Sequence, residues 1–215
     1  MLGIYGAGGL GRELYDLALR INNLLNKWDR IVFIDDSLRS DAKNNQLIYS
    51  FEEFRRLPGQ LEIVIGTGEP AVRNLLHDRV VSCGLTLATL IDPTALVSNS
   101  AVLKPGVIIS EFCSIHSGVH IEVNTLIQPN CCIGHDIRIG KHSIISTTAN
   151  IGGGSIIGDK VYLGMNCAVL QKLTIESESI IAMGSVVFRD VTFGSTVIGN
   201  PAKVTKGNED KKVFG

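Results

Sequence analysis

From Ile91 to Val187 every sixth residue is aliphatic: Ile91, Val97, Leu103, Ile109, Ile115, Ile121, Ile127, Ile133, Ile139, Ile145, Ile151, Ile157, Leu163, Val169, Ile175, Ile181 and Val187. Chance does not yield such an unbroken run when these residue types make up about a quarter of an ordinary chain. A second series at the same period, from Ala95 through Val107, Cys113, Thr125, Cys131, Ser143, Ala149 and Cys167 to Ser185, is nearly all small or medium. One aliphatic and one smaller inward residue per hexad describe a tightly wound solenoid, because a short repeat buries its apolar face only against its neighbours. The physical reading is a parallel β-helix in which each hexad is a short strand plus a corner and each coil hydrogen-bonds to the next. Glycines that directly follow the aliphatic residue, such as Gly134, Gly140, Gly152, Gly158 and Gly164, are expected to take the bend.

Composition removes several function classes. The formal net charge of −1 leaves no basic footprint for nucleic acid. No segment offers the roughly 18 uninterrupted apolar residues of a membrane-spanning helix. MLGIYGAGG lacks the basic region and long apolar run of a signal peptide, so a cytoplasmic location is expected. The cysteines, Cys83, Cys113, Cys131, Cys132 and Cys167, have no metal-ligand spacing and are odd in number. They read as reduced, small, mostly buried residues. No metal is expected.

The first ninety residues follow a different rule. LGIYGAGGLGRELYDLALRI is an apolar strand, a glycine turn and a helix whose Leu14, Leu17, Ala18 and Ile21 share one face. Gly6, Gly8 and Gly11 satisfy G-x-G-x-x-G between that strand and helix, and the strand RIVFIDD ends in Asp35 and Asp36 at about the spacing of a ribose-binding acid. A further strand, LEIVIGTG, precedes a helix from about Glu69 to Ser82. This small parallel α/β unit offers a helix N-terminus to an anionic ligand. By itself the glycine motif is equally compatible with NAD and an oxidoreductase.

The hexads together with the closing GNPAKV, Gly199 to Val204, resemble the hexapeptide-repeat acyltransferases. Fused to the glycine-motif unit, they are similar to the bacterial nucleotide-sugar acetyltransferases related to the bacillosamine and perosamine N-acetyltransferases and to the sialic acid O-acetyltransferases. The resemblance implies a small Rossmann-like α/β domain over residues 1–88, a left-handed parallel β-helix acetyltransferase domain over 89–204, and a charged tail over 205–215. The handedness comes from the resemblance alone, since the general crossover preference is right-handed. It further implies a homotrimer, acetyl-CoA bound between subunits, and a nucleotide-linked amino sugar held by Gly6, Gly8, Gly9, Leu10, Gly11, Asp35, Asp36, Gly66, Thr67 and Gln128. Leu10, Gly66 to Gly68 and Gln128 depart from the family's usual residues and leave the base and sugar open.

Within GHDIRIG, Gly134 to Gly140, the family's His-acid pair falls on His135 as general base and Asp136 as its orienting partner. A base with an ordinary pKa near 6.5 suits deprotonation of an amine attacking a thioester. A carboxylate on the other ring nitrogen fixes the tautomer. Adjacent strand residues point to opposite faces, so the pair must sit at a corner. One coil further, Gly153 is the candidate oxyanion donor through its N–H. Met165, Asn166, Lys172, Ala182, Gly184, Arg189 and Lys203, in later coils, are the candidate acetyl-CoA contacts. The family's second histidine position is Ile144, which reads as inward. His142 is then either its substitute or a surface residue, His116 and His120 are surface or interface groups, and His77 lies on a solvated helix face. VTFGSTVIGNPAKV is expected to leave the solenoid and cap it. The function expected is N-acetylation of a nucleotide-linked amino sugar by direct attack. The rivals are sialic acid O-acetylation and a non-catalytic sugar-nucleotide-binding protein.

Overall fold

The computed structural model describes residues 1–37 and 47–214. Its N-terminal unit contains β1 (Leu2–Tyr5), α1 (Gly9–Leu25), β2 (Ile31–Ile34), β3 (Ile48–Tyr49), α2 (Phe51–Phe54), β4 (Glu62–Ile65), α3 (Pro70–Ser82) and β5 (Thr86–Leu87). The strands form one parallel sheet in the order β3-β2-β1-β4-β5. The apolar stripe of α1 buries Leu14, Leu17, Ala18 and Ile21 as its period requires. The helix stops where Asn26 turns left-handed, at φ 47°, and returns its N–H to the Asn22 carbonyl.

Residues Leu90 to Val187 wind into a left-handed parallel β-helix of two-residue strands that pair eighteen positions apart, as Ser114 does with Cys132 and Ile121 with Ile139. Three sheets make a triangular prism. The docking face carries the pairs from Leu90–Ile91 to Ile180–Ile181, the second face includes Cys132–Ile133, and the third includes Arg138–Ile139. From Val107 onward both inward series are buried in one continuous core, Cys113, Cys131 and Cys167 included and Leu173 partly so, whereas Ile91 at the open end of the first coil is exposed. Cys83 is exposed and Cys132 half-buried and outward, so burial holds for three of the five cysteines.

The glycines after the inward aliphatics do not take the bend. The left-handed conformation falls two residues later, on Asn124, Asn130, Asp136, His142, Lys160 and their equivalents. Glycine is needed one step after the aliphatic because coils approach closely there. A Cβ on Gly134 would stand 2.8 Å from the Gly153 nitrogen, and one on Gly152 would stand 2.4 Å from the Gln171 nitrogen.

Ile144 is also not inward. It is buried in the seam between the two units, stacked with Leu90, Ile108 and Leu126 against Leu14, Leu17 and Ala18 of α1. The alternation of a strand sends Ile145 inside and Ile144 outside. Stepping by eighteen along the outward positions of this face gives large apolar residues, whereas the second face presents Ser114, Cys132, Asn150 and Ala168. The third face mixes Val102 and Ile156 with His120, Arg138 and Thr174, so the docking face is the one whose outward positions are apolar throughout.

The closing segment stays in the sheet rather than leaving it. Ser195–Gly199 continues the docking face in parallel with Ile180–Ile181 and pairs antiparallel with Ala202–Gly207. The segment beyond it is held rather than loose: the Asn208 side chain donates to the Glu178 carbonyl at 2.8 Å, and the Val213 and Phe214 N–H groups donate to the Glu69 carboxylate at 3.0 and 3.2 Å. Gly215, the last residue of the expected tail, lies outside the described residues.

Candidate active site

His135 and Asp136 form the tip of the corner between the second and third faces, and Asp136 takes φ 57°. That left-handed residue breaks strand alternation and turns both side chains to one side. His135 Nδ1 lies 2.8 Å from Asp136 Oδ2. The next coil supplies Gly154, whose N–H donates to the His135 carbonyl at 2.8 Å, and beside it Gly153 lies under the imidazole. A Cβ at Gly153 would stand 2.5 Å from His135 Nε2, so glycine is required for the ring to lie where it does. The Gly153 N–H has no acceptor among the described residues. Both side chains are open to solvent in the single chain, at 64% and 72%. The corner thus holds an imidazole of fixed orientation with its Nε2 edge free beside an unused backbone donor.

The same corner continues through Gln171 and Lys172 to Arg189. Lys172 donates its N–H to the Gly153 carbonyl, and Arg189 shares a groove of about 490 Å³ with Lys203, Phe188 and Val187. Two cations beside an apolar wall are suited to a ligand with phosphates and an uncharged arm. Met165, Asn166, Ala182 and Gly184 lie elsewhere, on the corner between the docking and second faces. The candidate acetyl-CoA residues are thereby divided between two corners of one chain.

In the α/β unit, Gly6 has φ +113°, and a Cβ on Gly11 would stand 1.9 Å from the Gly6 carbonyl oxygen. Gly66 closes the same contact, since its Cβ would stand 3.0 Å from Gly11 Cα. Gly8 and Gly9 instead have open space above them, at the first turn of α1, whose N-terminus has no side-chain cap. Those two glycines are where an anion can meet free N–H groups. Asp35 lies at this turn and accepts from the Ala7 N–H at 3.0 Å. Asp36 is committed to contacts within the α/β unit: its oxygens accept from Tyr5 Oη at 2.8 Å, the Phe51 N–H at 2.9 Å and Arg79. Burial alone would raise its pKa, but those hydrogen bonds outweigh it and hold the carboxyl below the usual range. Asp36 therefore ties the start of α2 to α3, while Asp35, beside the glycines, accepts from the Ala7 N–H and from the Ser37 N–H and Oγ. The Thr67 carbonyl is likewise taken, by Arg73 at 3.1 Å. Leu10 and Gln128 come together in a groove of about 390 Å³ between α1 and the Met165 corner, with Glu13, Arg20, Glu111 and Thr147.

His142 is neither a surface residue nor a neighbour of His135. It is 5% exposed on the corner that faces α3, its Nδ1 is 3.1 Å from Asn124 Nδ2, and its ring meets His77 edge-on at 4.9 Å. His77 is accordingly a seam residue rather than one on a solvated face. Desolvation first, then the charges of His77 and Arg73, push the His142 imidazole down to about 4. A histidine of depressed folded pKa binds fewer protons folded than unfolded, so its contribution favours unfolding as pH falls from about 6.5 toward about 4. His142→Gln is expected to flatten that part of the stability-versus-pH curve, measured by urea unfolding at intervals between the two values. An unchanged slope would remove His142 as its cause.

Sequence reasoning missed Arg73, the charged residue at the centre of this seam. It is fully buried without a carboxylate, and its guanidinium donates to the carbonyls of Ile65, Thr67 and Asn124 and to Asn124 Oδ1, the shortest bond being 2.7 Å. Desolvation pushes its pKa down, yet a guanidinium stays charged at neutral pH. Among the described residues there is no cluster that could hold a metal, and no helix is long and apolar enough to cross a membrane.

Residues 1–80 match the family described as PglD N-terminal domain. A GDP-perosamine N-acetyltransferase of Escherichia coli O157:H7 is 28% identical over 123 residues, which are 56% of this chain and 56% of that protein, so the match spans little more than half of the curated relative. The acetyltransferase domain of PglB from Neisseria gonorrhoeae FA1090 superposes with a TM-score of 0.88 at 26% identity, over 95% of this chain and 98% of that one. It has also been solved with acetyl coenzyme A. A perosamine N-acetyltransferase from Caulobacter crescentus, an HN variant of one histidine in complex with CoA and GDP-perosamine, shares the fold at 22% identity, with a TM-score of 0.88 over 95% and 96% of the two chains. The resemblance drawn from the hexads and the glycine motif, and the two-part fold, are both borne out.

Proposed function

We propose that this chain, whose first 80 residues match the PglD N-terminal domain family and whose β-helix completes the build of a hexapeptide-repeat sugar acetyltransferase, acetylates the amine of a nucleotide-linked amino sugar with acetyl-CoA. The observation that carries the reading is the corner: His135 oriented by Asp136 at 2.8 Å, over a glycine that leaves its N–H unused. In the reaction, His135 Nε2 takes the proton of the amine as its nitrogen adds to the thioester carbonyl. Asp136 stabilises the imidazolium that results, and the Gly153 N–H donates to the developing oxyanion. The C–S bond then breaks, CoA leaves as the thiol after receiving a proton, and an amide remains. Gly8, Gly9 and Asp35 hold the nucleotide, while Lys172, Arg189 and Lys203 hold the phosphate-bearing part of CoA.

The prism imposes a second condition. Each corner of a triangular coil lies opposite one face, and the His135 corner lies opposite the docking face that carries the α/β unit. A sugar held by Gly8 and Leu10 is therefore on the far side of the β-helix from the His135 of its own chain. The site works when a second copy brings its His135 corner to this chain's groove, which also reunites Lys172 and Arg189 with a Met165 corner. A cyclic homotrimer satisfies this for every copy.

Amide and ester products separate this reading from O-acetylation. The product from a nucleotide-linked amino sugar is expected to resist mild hydroxylamine, as an amide does. A hydroxylamine-labile product, or turnover with free sialic acid and none with the amino sugars, would replace N-transfer by O-transfer.

A further inference from the structure

The segment after the last hairpin crosses from the β-helix to the α/β unit, where it reaches Glu69 and Gly68 in the stretch after β4. Lys211 Nζ pairs with Glu178 at 3.1 Å, and the Glu69 carboxylate, at the start of α3, accepts from both the Val213 and Phe214 N–H groups. The Phe214 ring then meets Tyr162 of the docking face edge-on, 5.5 Å between centroids. A side chain at Gly68 would come within 3.9 Å of the Phe214 ring and 4.0 Å of Leu10. Phe214 thus stands between the loop after β4 and the β-helix, facing the same Gly68 position as Leu10, which lines the groove beside α1, with 60% of its surface open.

An exposed aromatic ring held by two backbone hydrogen bonds to a half-buried carboxylate is positioned at a cost in chain entropy, and its free face is apolar and flat. Its neighbours define which end of a ligand it meets. Asp35 and Ser37 lie at the end of β2, whereas Tyr162 belongs to the β-helix, toward which the sugar must point to reach a base on a neighbouring copy. Accepting the nucleotide amino sugar as substrate, we infer that Phe214, held by Glu69 and Tyr162, is a wall of the sugar end of the pocket and a determinant of which sugar is accepted. An aromatic wall favours the C–H face of a deoxy sugar over a fully hydroxylated one.

The test compares wild type with Phe214→Ala, Phe214→Tyr and Glu69→Gln, using GDP-, UDP- and dTDP-linked amino-deoxy sugars, with KM determined separately for the sugar nucleotide and for acetyl-CoA. Phe214→Ala is expected to raise the sugar-nucleotide KM about tenfold, the change that a lost aromatic contact of about 1.4 kcal/mol produces. Its acetyl-CoA KM should hold. Glu69→Gln should move the same way by a smaller factor, and Phe214→Tyr should restore the wild-type value. Sugar-nucleotide KM within twofold of wild type in Phe214→Ala, or lowered by it, overturns the inference and leaves the proposed reaction standing. Silence of wild type with every amino sugar overturns both.

Discussion

Replacing His135 by alanine is expected to lower kcat/KM for the nucleotide amino sugar by about 10²–10⁴-fold, the range that removal of a positioned general base produces. The expectation rests on geometry that a decorative surface histidine would not need. Asp136 adopts φ 57° and so brings its carboxylate to His135 Nδ1, and Gly153 leaves a space that any Cβ would fill, 2.5 Å from Nε2. Asp136→Asn keeps the shape but loses the charge that favours the imidazolium, so it should fall less than His135→Ala while leaving both KM values near wild type. Gly153→Ala forces the ring to move and should fall with the histidine variant, since positioning and base function are lost together. Circular dichroism of the purified variants separates these losses from unfolding, because His135 and Asp136 are exposed and outside the core.

Arg73→Ala is expected to cost about 3–5 kcal/mol of stability, from buried acceptors left unpaired together with the cavity left by a large buried side chain. Among the described residues the guanidinium is the only donor reaching the Asn124 carbonyl from the α/β unit, and it also holds the Ile65 and Thr67 carbonyls at the end of β4. Its loss leaves buried acceptors unpaired and a cavity behind, and both are costly. Urea unfolding monitored at Trp28, which is buried in the α/β unit with its Nε1–H on Glu62, reads the effect directly. Arg79→Ala removes an arginine whose partner Asp36 is 40% exposed and is expected to cost about 1 kcal/mol or less. Equal costs for the two variants would show that the seam owes little to Arg73.

Much of this arrangement is legible in the sequence for a physical reason. A coil of three hexads fixes the direction of every side chain in it, so the inward Ile133 and Ile139 determine that His135 and Asp136 stand at a corner and that Gly153 stacks on them. The docking face is legible in the same way, from the apolar stack of Leu90, Ile108, Leu126 and Ile144 read at eighteen-residue steps. The inward reading of Ile144 fails because Ile145, its neighbour in the two-residue strand, holds the inward phase. Arg73 and Phe214 were beyond sequence reasoning because their partners lie 51 and 145 residues away in the other part of the fold. Asp36 shows the converse limit. It stands where a ribose-binding acid would, but Tyr5, Arg79 and the start of α2 use it first.

Thiol release from acetyl-CoA by wild type and His135→Asn, assayed in parallel with GDP-, UDP- and dTDP-linked amino sugars and with the product followed by mass, tests the proposed reaction and its base together. The prediction is that wild type releases one thiol for each acetyl group gained by one of these sugars, and that His135→Asn loses most of that rate with either substrate at saturation. Thiol release that does not depend on the amino sugar, or full activity in His135→Asn, would contradict it.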